Sequence, residues 1–203
     1  MYTSTGAYQL WLADQSFMRV YNTLQGRTLV DVERCHILYQ LAKRALKLPG
    51  AAAEIGVYKG GTALLLSEVF RRVKKLYLFD TFEGMPECSD KDNFCTKGMF
   101  SDTSLESVRT FVGTVGDVEF FQGVFPQTVP AEADGVFSFV HVDVDIYQSV
   151  KDCVDYFWPR LVPGGIMVFD DYGFPTCLGA RRAVDEYGID TLYLGTGQAL
   201  WLK

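Results

Sequence analysis

The chain has 203 residues, 48% hydrophobic and 22% charged, the balance of one globular domain able to bury a sizeable core. Its 25 acidic and 19 basic side chains leave a net charge of −6, which argues against a nucleic-acid partner; Arg71-Arg72, Lys74-Lys75 and Arg181-Arg182 read as solvated helix ends. Five cysteines without a C-x-x-C spacing and two histidines do not support zinc and fit a reducing cytoplasmic setting; neither a secretory signal nor an apolar run of the ~20 residues a bilayer requires is visible.

Residues 8–24 place Leu10, Trp11, Phe17, Met18, Tyr21 and Leu24 at helical spacing, and Gly26 ends the pattern. Thr28 and Asp31 read as a capping pair for a second helix with Cys35, Leu38, Leu41, Ala45 and Leu48 on one face, closed by Pro49-Gly50. This N-terminal helical hairpin, residues 1–49, is expected to cover the core; a cofactor lid or an oligomer interface is the sharper reading. From Ala51 the pattern becomes strand, glycine turn, helix: a strand over 51–57, a helix from Gly60-Gly61 to about Arg72, and a second strand from Lys75 to Asp80. Residues 81–103 lack periodicity and are rich in Pro, Gly, Asp, Lys and Ser, so they are read as a lid. Within it Cys88 and Cys95 are expected to be reduced bystanders, while Glu83 and Lys97 can reach a ligand once the lid closes.

Thr103 and Glu106 form a capping box for a helix to about Val112. Strands come next over 118–121 and 139–143, then an amphipathic helix over 147–161. Pro163-Gly164-Gly165 turns into a fifth strand, 166–169; a helix over 178–187 precedes two short strands, 191–194 and 199–202, joined by Gly195-Thr196-Gly197. The alternation predicts an α/β fold, a doubly wound and mostly parallel sheet with an antiparallel edge hairpin, as one domain over 1–203 with its core in 50–203.

Two of these strands stop on paired acids, H-V-D-V-D-I-Y at 141–147 and V-F-D-D-Y-G at 168–173. Residues just beyond the carboxyl ends of parallel strands face the ligand crevice, so Asp143, Asp145, Asp170 and Asp171 should converge there. Like charges that close are unfavourable unless a cation or a shared proton relieves them. Carboxylates without His or Cys select a hard ion, Mg²⁺ with Mn²⁺ or Ca²⁺ as alternatives, leaving one carboxylate for proton transfer. His141 shares the face of Asp143 but reads as a hydrogen-bonded core histidine. Tyr147 and Tyr172 can line a pocket or cap the core, and Arg181 and Arg182 suit an exposed helix face better than an anionic substrate.

Glu54-Ile55-Gly56-Val57-Tyr58-Lys59-Gly60-Gly61 lies between a strand and a helix without the G-x-G-x-x-G spacing of a pyrophosphate site, which disfavours a dehydrogenase. It opens on an acid, and Asp80 ends the next strand 24 residues beyond Gly56, where a carboxylate takes ribose hydroxyls. An acid for an ammonium group and another for a ribose fit S-adenosylmethionine, so Glu54, Gly56, Tyr58, Gly60 and Asp80 are candidate cofactor residues.

E-I-G-V-Y-K-G-G, L-F-D-T-F-E-G-M-P, H-V-D-V-D-I-Y-Q-S and P-R-L-V-P-G-G-I-M-V-F-D-D-Y-G together resemble the macrocin O-methyltransferase (TylF-like) family over residues 50–190. The resemblance implies a Rossmann-like class I methyltransferase fold and methylation of sugar hydroxyls on natural products with S-adenosylmethionine and magnesium. It implies Asp143, Asp170 and Asp171 as metal ligands and Asp145 as the general base. Glu54, Gly56, Asp80 and Thr81 match its cofactor positions; Ser101 and Phe125 match near the adenine, and Asp143 borders the cofactor as well. The implied partner is a small-molecule glycoside or diol, with no nucleic acid and no membrane; a homo-oligomer stays open. A catechol acceptor or a non-catalytic nucleotide-binding subunit are the competing readings.

Overall fold

The computed structural model describes residues 9–113, 116–130 and 135–203. Among them seven strands form one sheet: β1 (Ala51–Ile55), β2 (Lys75–Asp80), β3 (Asp117–Gln122), β4 (Phe137–Val142), β5 (Leu161–Phe169), β6 (Leu192–Tyr193) and β7 (Ala199–Leu202). They lie in the order β3-β2-β1-β4-β5-β7-β6. The first five are parallel, and β7 and β6 close one edge as an antiparallel hairpin. The chain winds from β1 outward to β3, then returns to lay β4 against the other side of β1. Strand order therefore reverses between β1 and β4, and the crevice opens beyond their carboxyl ends.

Strand alternation divides the core in two. Ala52, Leu76, Leu78, Phe139, Ile166 and Val168 face α1 (Gln15–Tyr21), α2 (Val32–Ala45), α3 (Gly61–Phe70) and α4 (Leu105–Val112). Ala53, Phe79, Val140, Met167 and Phe169 face α5 (Tyr147–Phe157) and α6 (Leu178–Asp185). Burial on both faces leaves every position of β4 buried, Ser138 and His141 included, rather than alternating with exposed ones.

Several boundaries differ from expectation for local reasons. The N-terminal pattern is broken at Asp14, which accepts from Phe17 N–H and starts α1 afresh after a 3-10 turn at Leu10–Ala13. Asp31 alone caps α2, while Thr28 Oγ1 accepts from Val30 N–H in the turn before it. The cap of α4 is Ser104, one residue later than expected, because the Thr103 hydroxyl donates instead to Tyr58 O. Pro163-Gly164-Gly165 lies inside β5 as an irregularity that shifts its register against β4, so the strand starts at Leu161. Cys88 and Cys95 correct the expectation of reduced thiols. The loop folds back on itself through paired backbone bonds between Met85 and Met99 and from Gly98 to Met85, and a disulfide joins the two cysteines, with Cα atoms 6.1 Å apart.

Candidate active site

The β1, β4 and β5 registers align Ile55 with Val142 and Val142 with Phe169, so the next residues, Gly56, Asp143 and Asp170, emerge side by side. They open onto one cavity of about 280 Å³, lined at one end by Gly56, Tyr58, Asp80, Thr81 and Phe125 and at the other by Asp143, Asp145, Asp170 and Asp171. Gly56 has φ +86°, and a β-carbon there would stand 1.7 Å from Asp143 O, so only glycine lets the two strand ends approach this closely.

At the first end Asp80 is a hub. Its Oδ2 accepts from Val57 N–H at 2.6 Å and Tyr58 N–H at 2.8 Å, and its Oδ1 accepts from Phe82 N–H at 2.6 Å. The Thr81 hydroxyl donates to Gly84 O at 2.6 Å and pins the start of the lid. Tyr58, at φ +51°, is held by Thr103 and donates its hydroxyl to Asp102. Phe125 is buried, stacked on Phe157 at 5.2 Å between centroids. Three candidate residues stand outside the lining: Gly60 is the left-handed cap of α3, Ser101 is exposed, and Glu54 lies behind the wall, fully buried.

Glu54 belongs to a buried charge chain. Its Oε1 meets His141 Nδ1 at 2.9 Å, and His141 Nε2 faces Asp170 Oδ1 at 3.5 Å. Burial opposes charging the imidazole, but the facing Asp170 carboxylate and the bond to Glu54 prevail and raise its pKa to about 10. Asp170 also accepts from Gln198 Nε2 at 2.7 Å and from the Arg34 guanidinium. Burial raises its pKa, yet His141, Arg34 and Gln198 together hold it below the ordinary carboxylate value.

The other three acids lack such cover. Among the described residues no donor reaches the Asp143 carboxylate. Burial, then the charge of Asp170, pushes it well above the usual range. Asp171 is raised well above it by burial and then by Asp145 and Asp143, and its Oδ2 accepts from Asp145 N–H at 2.9 Å. Asp145 sits at φ +59°, an uncommon conformation for a residue with a side chain, and accepts from the Cys177 thiol at 3.5 Å. Its pKa is raised chiefly by burial. Potential ligand atoms gather as His141, Asp143 and Asp170 in one group and Asp145, Asp171 and Cys177 in another, each within 4.8 Å. Four carboxylates facing one guanidinium and one imidazolium leave a deficit of positive charge, and hard oxygen donors with open lone pairs fit a divalent cation.

Arg34, Gln198 and Cys177 were not anticipated. Arg34 had a readable signal, a cation on the apolar stripe it shares with Leu38, Leu41 and Ala45. Gln198 and Cys177 carried none. Tyr147 and Tyr172 donate to Glu186 and Asp185, Arg181 and Arg182 pair with the same two acids, and Lys97 pairs with Glu87. None of these lines the cavity.

A family model described as Macrocin-O-methyltransferase (TylF) matches residues 21–191. The 8-demethyl-8-(2,3-dimethoxy-alpha-L-rhamnosyl)-tetracenomycin-C 4'-O-methyltransferase of Streptomyces olivaceus is 30% identical, over 80% of this chain and 67% of that protein. Mycinamicin III 3''-O-methyltransferase of Micromonospora griseorubida is 28% identical, over 80% and 70%. The solved structure of the O-methyltransferase NovP superposes with a TM-score of 0.77 at 23% identity, covering 87% of this chain and 82% of that one, a likeness of fold. Among the described residues no helix is long and apolar enough to cross a membrane.

Proposed function

This chain belongs to the macrocin O-methyltransferase family and is an S-adenosylmethionine-dependent O-methyltransferase, and we propose that its acceptor is a hydroxyl of a sugar or similar vicinal diol on a natural product, with a divalent cation bound beside it. The observation that carries the reading is the single cavity joining Gly56 and Asp80 to four converging aspartates. Glycoside acceptors are taken from the relatives, whose names specify a rhamnosyl tetracenomycin and mycinamicin III.

Val57, Tyr58 and Asp80 would seat the nucleoside, with Phe125 against the adenine. Tyr58 N–H and Val57 N–H hold Asp80 in place, leaving its Oδ1 facing only Phe82 N–H and, at 3.5 Å, the Thr81 hydroxyl. Glu54, behind Gly56 and outside the cavity lining, is paired with His141 and would act on the site only through that histidine. Asp143, Asp170 and Asp171 would hold the cation, Mg²⁺ or alternatively Mn²⁺ or Ca²⁺, and a bound divalent cation lowers the pKa of an oxygen ligand by several units. Asp145 takes the proton that the hydroxyl gives up as its oxygen forms the new C–O bond and the methyl–sulfur bond breaks, yielding an ether and a neutral thioether. Asp170, fixed by Arg34, His141 and Gln198, keeps its neighbours in line, and holding donor and acceptor in that line supplies much of the rate.

The test is methyl transfer from labelled S-adenosylmethionine to unmethylated glycosides of the two named kinds and to a catechol, with Mg²⁺ and with EDTA. Turnover of a glycoside that EDTA abolishes supports the reading. Turnover of the catechol alone, or calorimetric binding of NAD but not S-adenosylmethionine, defeats it. Asp143→Asn should lose the metal response while cofactor affinity stays within about threefold, and Asp145→Asn should keep the metal and lose the rate.

A further inference from the structure

Both helices that leave the site begin without a cap of their own. Ile146 and Cys177, at the N-cap positions of α5 and α6, supply no side-chain bond to the first turn. An uncapped first turn leaves backbone N–H groups without partners. Here the acceptors arrive from the far end of the lid, at the tip of the loop closed by Cys88 and Cys95. Asp92 Oδ1 accepts from Tyr147 N–H at 2.8 Å, and Asn93 Oδ1 accepts from Leu178 N–H at 3.0 Å. Asn93 Nδ2 also donates to Pro175 O at 2.8 Å.

The docking is built from both sides. Asp92 Oδ2 accepts from Ser89 N–H and from the Ser89 hydroxyl, each at 2.8 Å, which fixes the carboxylate before it reaches α5. Lys91 Nζ lies 3.6 Å from the centre of the Tyr147 ring. On the receiving side Gly179 leaves the space: a β-carbon there would stand 2.0 Å from Asp92 Oδ1. The two anchored amides directly follow the site. Tyr147 comes two residues after Asp145, and Leu178 comes one after Cys177, whose thiol touches Asp145.

Asp145 holds a left-handed backbone conformation, which persists in a folded chain only where its surroundings over-determine it. Asp171 holds its N–H from within. Ile146 N–H closes the turn onto Val144 O at 2.6 Å, and a further hold lies outside the cavity. We propose that Asp92 and Asn93 are positioning residues of methyl transfer, a two-pronged latch that caps α5 and α6 from the lid and thereby keeps Asp145 aimed into the site. The proposal rests on Asp145 acting as the base. It makes the lid part of the catalytic geometry rather than only a cover over the substrate.

Asp92→Ala removes the α5 prong, and Gly179→Ala pushes the same prong out while leaving every polar group intact and adding a better helix former. The full chain is read by amide hydrogen exchange at Tyr147 and Leu178, by calorimetry with S-adenosylmethionine, and by kcat and KM with the glycoside that turns over. Exchange at Tyr147 should rise roughly 2- to 30-fold in each variant, the range for a lost cap. kcat should fall about 10- to 100-fold, as misplaced catalytic groups do, with KM and cofactor affinity within about twofold. The double variant should be close to Asp92→Ala, since the colliding carboxylate is gone and only a 3.2 Å approach to Lys91 O remains. Unchanged exchange at Tyr147, raised exchange with wild-type kcat, or a rise in KM alone would each overturn the latch. With no glycoside turning over, raised exchange at Tyr147 in both single variants supports it and unchanged exchange rejects it. Full activity of Asp145→Asn would instead defeat the base assignment and with it the catalytic role of the latch, whereas a latch failure with the base intact would show as wild-type kcat in Asp92→Ala and lost rate in Asp145→Asn.

Discussion

Arg34→Met isolates the charge balance of the site. Methionine keeps an unbranched stem near Phe174, over whose ring the guanidinium lies at 4.8 Å, and deletes the cation. Three partners lose their donor: Asp170, Leu29 O at 3.0 Å and Asp31 at 2.8 Å. Their weights differ. The Asp31 side chain is 55% exposed, so that pair is screened and contributes less than about 1 kcal/mol. The Asp170 side chain is 1% exposed, and a buried charge stripped of its partner costs about 3–5 kcal/mol. His141 and Gln198 remain on Asp170, which places the expected loss near the lower end, about 3 kcal/mol. For a chain of this size that is a fall in Tm of about 6–12 °C. Thermal and urea melts followed by circular dichroism in EDTA measure it. Adding Asp170→Asn to Arg34→Met removes the stranded charge and should recover more than half of the loss. A single variant melting within about 2 °C of the parent, or a double variant melting lower still, would refute Arg34 as the countercharge of Asp170.

Asp143 and Asp171 are held above the ordinary carboxylate range, first by burial and then by neighbouring charge, so the folded chain binds these protons more tightly than the unfolded one. Their contribution to stability is complete below pH about 4 and is lost as pH rises through the raised values. His141, raised to about 10, starts to lose its contribution once pH passes its unfolded value of about 6.5 and adds to the fall at the upper end of the range, whereas depressed Asp170 loses its own only in acid. Melts in EDTA between pH about 5 and 8 should therefore show falling stability that Mg²⁺ flattens or reverses; equal slopes with and without Mg²⁺ would contradict a cation among these acids. Gly56→Ala places a β-carbon against Asp143 O at a left-handed φ, and should cost at least about 2 kcal/mol and abolish calorimetric binding of S-adenosylmethionine; retained binding would show that the strand ends part freely. Alkylation of the unfolded, unreduced chain should label three of its five cysteines (Cys35, Cys153 and Cys177), rising to five after reduction; five labels at once would remove the Cys88–Cys95 bridge.

Strand and helix identities were readable because hydrophobic periodicity is a local property. β2 runs from Lys75 to Asp80 as expected, and the doubly wound order arises from alternating strands and helices. Boundaries failed where a polar side chain had two possible partners. Thr103 and Ser104 are equally good caps in sequence, and only the approach of Tyr58 O decides which one serves α4. The lid was legible as a long loop but its anchoring was not, since nothing near Asp92 or Asn93 indicates that Tyr147 and Leu178, 55 and 85 residues away, need acceptors.

The same division runs through the site. Apolar runs ending on Asp143-Val144-Asp145 and Asp170-Asp171 place these acids at the carboxyl ends of buried parallel strands, and β-pleating with right-handed crossovers leaves them one crevice to share. Sequence alone thus determined that these four acids share one crevice. Their individual states were decided by tertiary contact: Asp170 is countered by Arg34 and Gln198, 136 and 28 residues distant, while among the described residues no donor reaches the Asp143 carboxylate. A carboxylate's charge depends on how much water it loses and on which cations replace that water, and both are set only when distant segments pack together.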